Sequence, residues 1–236
     1  METYQIILLV VCALLAMLFI VIRAKFGGLG GVLTKTLASF AFVASAIVII
    51  GFRYVDSSTR TVMSFVTIGL LLGMIGDILL DLKVVYPGND KYYLNAGMLS
   101  FGLGHLAYFS AFSTHAINMN CDLLMPILVS LGCGSVLTVL IMFVSKKMKL
   151  EFGNFLWQTI AYSFVLTFMT VFTLVLAIAN GGLWLTFVGM LLFILSDIVL
   201  SMQYFGGKLD SKPLIVVNHA LYYAAQIVLL AVIMVI

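Results

Sequence analysis

Two aspartates set in apolar stretches are the first residues of this sequence with the means to do chemistry. Asp77 stands in Ile75-Gly76-Asp77-Ile78-Leu79-Leu80 and Asp197 in Leu195-Ser196-Asp197-Ile198-Val199-Leu200, one small-Asp-Ile-aliphatic-Leu frame used twice. An ionisable group at the centre of a membrane helix costs at least about 2.5–3.5 kcal/mol, so it is rarely kept without a use. The competing account is a buried anchor hydrogen-bonded to neighbouring helices. Two carboxyl groups in one water-poor cavity divide into a protonated and an ionised member, the equipment for general acid–base chemistry.

Other polar residues recur near these two. His-x-x-Tyr occurs twice, as His105 with Tyr108 and as His219 with Tyr222. His219, Tyr222, Tyr223 and Gln226 fall on one face by three-and-four spacing, with Asn218 beside them. Lys35 lies one turn before Ser39, and Asn95 opens a later apolar stretch. The catalytic candidates are therefore Asp77, Asp197, His105 and His219. The substrate-binding candidates are Lys35, Asn95, Tyr108, Asn218, Tyr222, Tyr223 and Gln226. Asp81, one turn past Asp77, reads as a solvated helix end, Lys35 has the alternative of snorkelling to the interface, and the tyrosines have that of an interfacial belt. No metal is expected: His105 and His115 are too far apart along one helix to share an ion, and no HExxH or clustered Cys/His is present. No phosphate-binding, dinucleotide or nucleophile-elbow motif occurs in a suitable context, so no cofactor is expected either. Cys12, Cys121 and Cys133 have no metal-type spacing and read as apolar filler.

These residues must be positioned by membrane helices. The chain has 236 residues, 64% hydrophobic and 9% charged, with a mean hydropathy of +1.23. A soluble domain carries about a quarter charged residues, so a water-soluble globule is excluded. Windows of about 20 residues predict an all-α polytopic membrane protein of eight spans, at about 5–22, 33–52, 62–82, 93–112, 123–144, 157–179, 183–203 and 213–235. The connectors are short, which leaves one transmembrane domain over residues 1–236. The net charge of +3 lies in loops rather than on a basic face, which argues against nucleic acid.

The loops also predict an orientation. Arg23, Lys25, Lys83, Lys91, Lys146, Lys147, Lys149, Lys208 and Lys212 fall in odd-numbered loops, against Arg53 and Arg60 in even ones. The positive-inside rule then puts the odd loops in the cytoplasm and both termini on the non-cytoplasmic side. Asp77 and Asp197 come to matching depth near the cytoplasmic ends of the third and seventh spans. The repeated frames and His-x-x-Tyr pairs, four spans apart, suggest two parallel four-helix halves. No basic leader precedes the first span, and the expected address is a bacterial cytoplasmic membrane.

With these residues assembled, the chain resembles the eight-span family that contains the bacterial YhhN proteins and the animal lysoplasmalogenases. The resemblance rests on Thr34-Lys35, on Gly76-Asp77-Ile78-Leu79-Leu80, on Phe101-Gly102-Leu103-Gly104-His105-Leu106-Ala107-Tyr108, on Ser196-Asp197, and on Tyr222, Tyr223 and Gln226. Thr36 stands where many members are expected to carry proline. The resemblance implies hydrolysis of the vinyl ether of a lysoplasmalogen, giving a fatty aldehyde and a glycerophospho-ethanolamine or -choline. It maps the two catalytic aspartates onto Asp77 and Asp197. The expected partners are a lysophospholipid substrate and membrane lipids. The rival expectation is a proton-coupled transporter or lipid flippase using the same aspartates. Gly/Pro breaks inside paired spans would favour the rival, but Pro87, Pro126 and Pro213 lie in loops or at helix starts.

Overall fold

A chain this apolar satisfies its backbone polar groups within helices, the only open-ended structure that hydrocarbon tolerates. The computed structural model describes residues 2–236, apart from the side chains of Val84 and Pro87. It contains eight α-helices: α1 Thr3–Lys25, α2 Gly28–Phe52, α3 Ser57–Val85, α4 Asp90–Asn118, α5 Leu124–Lys147, α6 Leu156–Ala179, α7 Trp184–Phe205 and α8 Lys212–Val235. Single 3-10 turns at Pro87–Asn89, Gly153–Phe155 and Gly181–Leu183 precede α4, α6 and α7. No strand occurs among the described residues.

Seven of the eight helices are long and apolar enough to cross a membrane. The exception is α4, expected as a span over about 93–112. It forms a long helix but carries Asp90, Lys91, Asn95, Ser100, His105, Ser110, Ser113, Thr114 and His115, and so falls short on apolarity. Several of these polar groups are turned inward. Ser100 and His105 are buried, and the Ser100 hydroxyl donates to the Leu72 carbonyl of α3 at 2.7 Å.

The chain divides into two compact units, residues 1–115 with 226–236, and residues 116–225. In the first unit, α3 and α4 meet through small residues. A Cβ on Gly76 would stand 2.6 Å from the Phe101 ring, one on Gly69 would run into the Tyr108 ring, and one on Gly104 would come within 3.3 Å of the Gly69 carbonyl. Four-residue spacing of small residues lets helix backbones approach where lipid offers no hydrophobic drive to association. The turn from α1 into α2 passes through Gly27 and Gly28 at φ +61° and +55°, a region that suits glycine. Arg53, just after α2, donates from its guanidinium to the Ile233 carbonyl at 2.6 Å and to that of Ile236 at 3.1 Å, satisfying the end of α8.

In the second unit, α6 packs on both α5 and α7. The Thr167 hydroxyl of α6 donates to the Gly134 carbonyl of α5 at 2.9 Å and meets the Thr138 hydroxyl at 2.8 Å. Gly134 leaves room for this, because a Cβ there would lie 3.1 Å from the Phe168 backbone. Of the polar stripe Ser163, Thr167 and Thr170 along α6, Thr167 thus serves interhelical hydrogen bonding, whereas the Thr170 hydroxyl donates to the Leu166 carbonyl of its own helix at 2.8 Å.

Candidate functional site

The first unit places Asp77 in a buried network of four charges. Asp77 and Asp81 are one turn apart on α3, and Lys35 and Ser39 are one turn apart on α2. The spacing matches, so the two helices meet as rungs. Lys35 Nζ lies 3.2 Å from Asp77 Oδ1 and 3.4 Å from Asp81 Oδ1. Ser39 Oγ donates to Asp77 Oδ2 at 2.6 Å. Arg23, in the last turn of α1, reaches Asp81 Oδ2 at 3.5 Å. Only 1% of Asp77 and 2% of Asp81 is exposed, against 6% of Lys35. Two cations face two carboxylates, so the four formal charges sum to zero. That balance is what makes such burial tolerable, since an unpaired charge in this environment costs several kcal/mol.

Two of these four residues take roles that local reading had missed. Arg23 read as a loop charge that reports topology, yet its side chain crosses to α2, where a Cβ on Gly31 would stand 3.0 Å from the guanidinium. Asp81 read as a solvated helix end, and it is as deeply buried as Asp77. The available signal was the double i,i+4 match of Asp77 and Asp81 with Lys35 and Ser39.

The same unit holds His105, Tyr108 and Gln226, all buried. His105 Nδ1 lies 2.8 Å from the Phe101 carbonyl. A carbonyl only accepts, so Nδ1 carries the proton, and in the neutral ring Nε2 keeps its lone pair. The His105 ring meets Tyr108 edge-on at 5.9 Å, and Tyr108 stacks on Phe112 at 6.0 Å. The Tyr108 hydroxyl and Gln226 Oε1 are buried without a hydrogen-bond partner among the described residues. Asn95, near the start of α4, is exposed.

In the second unit, Asp197 is half-buried and has a different partner. Tyr162 of α6 donates its phenol hydroxyl to Asp197 Oδ2 at 2.6 Å. Beside it, Asn218 of α8 is tied to α7: its Nδ2 donates to the Ser196 carbonyl at 2.8 Å, and Ser196 Oγ donates to the Asn218 carbonyl at 3.3 Å. That leaves Asn218 Oδ1 to accept from His219 Nδ1 at 2.6 Å. His219, like His105, is thereby held as the tautomer with Nε2 unprotonated in the neutral ring. Tyr222 meets Phe193 edge-on at 5.5 Å and Tyr223 at 5.0 Å. Tyr162 carried no signal in the sequence beyond its position one residue before the Ser163-Thr167-Thr170 stripe.

Each aspartate lies eight residues before the last residue of its own helix, Val85 for α3 and Phe205 for α7. At 1.5 Å per residue that is about 12 Å of helix, and both helices run past their expected ends at 82 and 203. Among the described residues no group of three or more His, Cys, Asp or Glu side chains is placed to hold a metal ion. Chemically, the first unit presents a compensated carboxylate and the second a carboxyl group bound by a phenol.

The model of the YhhN family matches residues 31–233, from the second turn of α2 to the end of α8. No curated protein and no solved structure matches the chain.

Proposed function

The chain belongs to the YhhN family, and on that premise we propose that it is an intramembrane hydrolase that cleaves the vinyl ether bond of lysoplasmalogens. The observation that carries the proposal is the Asp77 carboxyl group, buried in an apolar helix and contacted by Lys35 at 3.2 Å and Ser39 at 2.6 Å.

Vinyl ether hydrolysis begins with a proton added to the β-carbon of the C=C–O group. The electron pair of the double bond forms the new C–H bond, and the positive charge is shared between the α-carbon and oxygen as an oxocarbenium ion. Water adds to the α-carbon and loses a proton, and the hemiacetal collapses to a fatty aldehyde and the glycerol hydroxyl. The net reaction consumes one water and needs no oxidant, reductant or cofactor.

The step has two demands, a fixed negative charge beside the developing cation and an acid to supply the proton. In this reading Asp77 meets the first. Preorganised charge in a water-poor site stabilises a transition state without reorganisation at the moment of reaction. Lys35, Arg23 and Asp81 hold that carboxylate in place, and the Lys35 ammonium is also the group that a substrate phosphate would approach. Asp197 is the proposed acid. Its Oδ2 accepts from the Tyr162 hydroxyl at 2.6 Å, which fixes the orientation of the carboxyl group. His105 and His219, each with Nε2 able to accept a proton in the neutral ring, are the candidates for orienting and deprotonating water. Tyr108 and Gln226 have buried polar atoms to offer to substrate or water, and Asn218 positions His219. Asn95, Tyr222 and Tyr223 complete the proposed substrate-contacting set.

The test is aldehyde release from a detergent-dispersed lysoplasmalogen by the purified protein, beside Asp77→Asn and Asp197→Asn variants shown to be folded. The parent is expected to release aldehyde, and each variant to lose about a hundredfold or more of the rate, the scale of acid–base catalysis. A folded parent that releases none overturns the hydrolase reading, and an active Asp77→Asn overturns the role given to that carboxylate.

A further inference from the structure

The second unit carries an apolar groove that the chemistry above does not use. Its volume is about 190 Å³, and it is lined by Leu137, Ile141 and Val144 of α5, by Met148 at the cap of that helix, and by Ile198 and Met202 of α7. The first four recur at four, three and four, so they form one face. Both helices pack on α6, and the groove opens where they part.

One end of the groove is built rather than frayed. After α5 the chain turns through Lys149 at φ +58°. This brings Leu150 back as part of the lining, with its N–H donating to the Ser145 carbonyl at 3.0 Å. The Glu151 N–H then donates to the Phe205 carbonyl at 2.8 Å, and Phe152 packs on Phe205 at 4.8 Å between ring centroids. The loop after α5 is thus fastened to the end of α7 and closes the groove. At this closed end stand Lys146, Lys147 and Lys149, all exposed, against a single acidic residue, Glu151. Lys147 and Lys149 are chain neighbours of Met148 and Leu150, both in the lining, which puts these two lysines beside this end of the groove, whereas Lys146 projects from the far face of α5 by helical spacing. Lys147 Nζ lies 4.7 Å from the Phe143 ring centroid, which holds its charge close to the helix.

We propose that this groove is a binding site for an anionic diacyl phospholipid, with part of one acyl chain in the groove and the phosphate at Lys147 and Lys149. The volume is smaller than the 300 Å³ or more typical of a pocket that encloses a whole small molecule, which suits a stretch of chain. In a bilayer every lipid tail can fill such a groove, so the apolar lining gives retention without preference. Preference comes from the lysines, each worth about fivefold toward an anionic headgroup. The inference is independent of the hydrolase reading.

The experiment is native mass spectrometry of the full-length protein released from detergent containing equal phosphatidylglycerol and phosphatidylcholine. The parent is expected to retain phosphatidylglycerol about twenty-five-fold over phosphatidylcholine, the product of two fivefold preferences. Lys147→Gln with Lys149→Gln should bring the ratio near one. Ser201→Trp or Leu140→Trp, each adding bulk to the lining, should lower retention of both lipids while the protein remains folded by circular dichroism. Equal retention by the parent overturns the proposal. So does a preference that survives the lysine changes, or one that ignores both tryptophan variants, which would reduce it to surface charge. Displacement of phosphatidylglycerol by an equimolar lysoplasmalogen would also overturn it, by giving the groove to the substrate.

Discussion

Asp77 and Asp197 sit in the same local frame, each eight residues from the end of its helix, and the two units treat them differently. Asp77 is buried, salt-bridged to Lys35 and hydrogen-bonded by Ser39. Asp197 is half-buried and accepts from the neutral phenol of Tyr162. A sequence frame sets where a carboxylate lies along its helix. The neighbouring helix decides whether it meets a cation or a hydroxyl, and with that whether its structural weight is large or small.

The largest effect that would sharpen this contrast is expected from Lys35→Met. It strands two buried carboxylates, and breaking a buried ion pair from one side costs about 3–5 kcal/mol. Thermal unfolding in detergent should show a large drop in Tm, and adding Asp77→Asn to Lys35→Met should recover part of it. An unchanged Tm would mean that Asp77 is not held as an ion pair, and the contrast between the units would break. Next in size is Gly76→Ala beside Asp77. Its Cβ would stand 2.6 Å from the Phe101 ring, and overpacking of this kind costs about 1–3 kcal/mol. Ser196→Ala, the corresponding position beside Asp197, removes polar contacts to Asn218 without adding bulk, and should cost less in the same assay.

Tyr162→Phe removes the hydroxyl that donates to Asp197 and nothing else. Loss of one hydrogen bond costs about 0.5–1.5 kcal/mol in stability, well below the Lys35 effect. On the proposed chemistry it should lower kcat several-fold with KM nearly unchanged, and an unaltered kcat would remove Tyr162 from the positioning role.

The smallest effect concerns how the two aspartate-bearing helices begin. The first turn of α3 is capped by Asp56, whose Oδ1 accepts from the Ser58 and Thr59 N–H groups at 2.8 and 3.0 Å. Hydrogen bonds from Thr59 hold the Asp56 carboxyl below its ordinary range. A carboxyl shifted down on folding adds stability that is complete above its unfolded value and is lost as pH falls through its folded value. The 3-10 turn leading into α7 is capped instead by the Asn180 amide, whose oxygen accepts from the Gly182 N–H at 3.1 Å and does not titrate. Acidification below about pH 4 should therefore lower Tm slightly more in the parent than in Asp56→Asn. Identical acid profiles would show that the Asp56 cap contributes nothing.

The positions of the helices were legible because hydropathy in a membrane chain follows from desolvation of the backbone, a cost paid residue by residue along the sequence. Seven helices carry that signal in full. The fourth carries it weakly because Ser100 answers to the Leu72 carbonyl of α3 and His105 to the Phe101 carbonyl of α4 rather than to lipid. The candidate aspartates were legible for the same reason, as charges where charge is expensive. Arg23 and Asp81 were misread because each looks like an ordinary helix-end charge until the other is brought to 3.5 Å. Tyr162 was invisible because a tyrosine on an apolar helix has no cost to betray it.

Hydropathy and the family match, both properties of the chain alone, make this a helical membrane protein of the YhhN family with two costly carboxylates in matching frames. Helix packing then assigns one of them to a neutral four-charge network and the other to a phenol. Helix propensity and hydropathy are local sums along the chain, whereas an ion pair between residues 42 or 46 positions apart, such as Lys35 with Asp77 or with Asp81, exists only once α2 and α3 have packed.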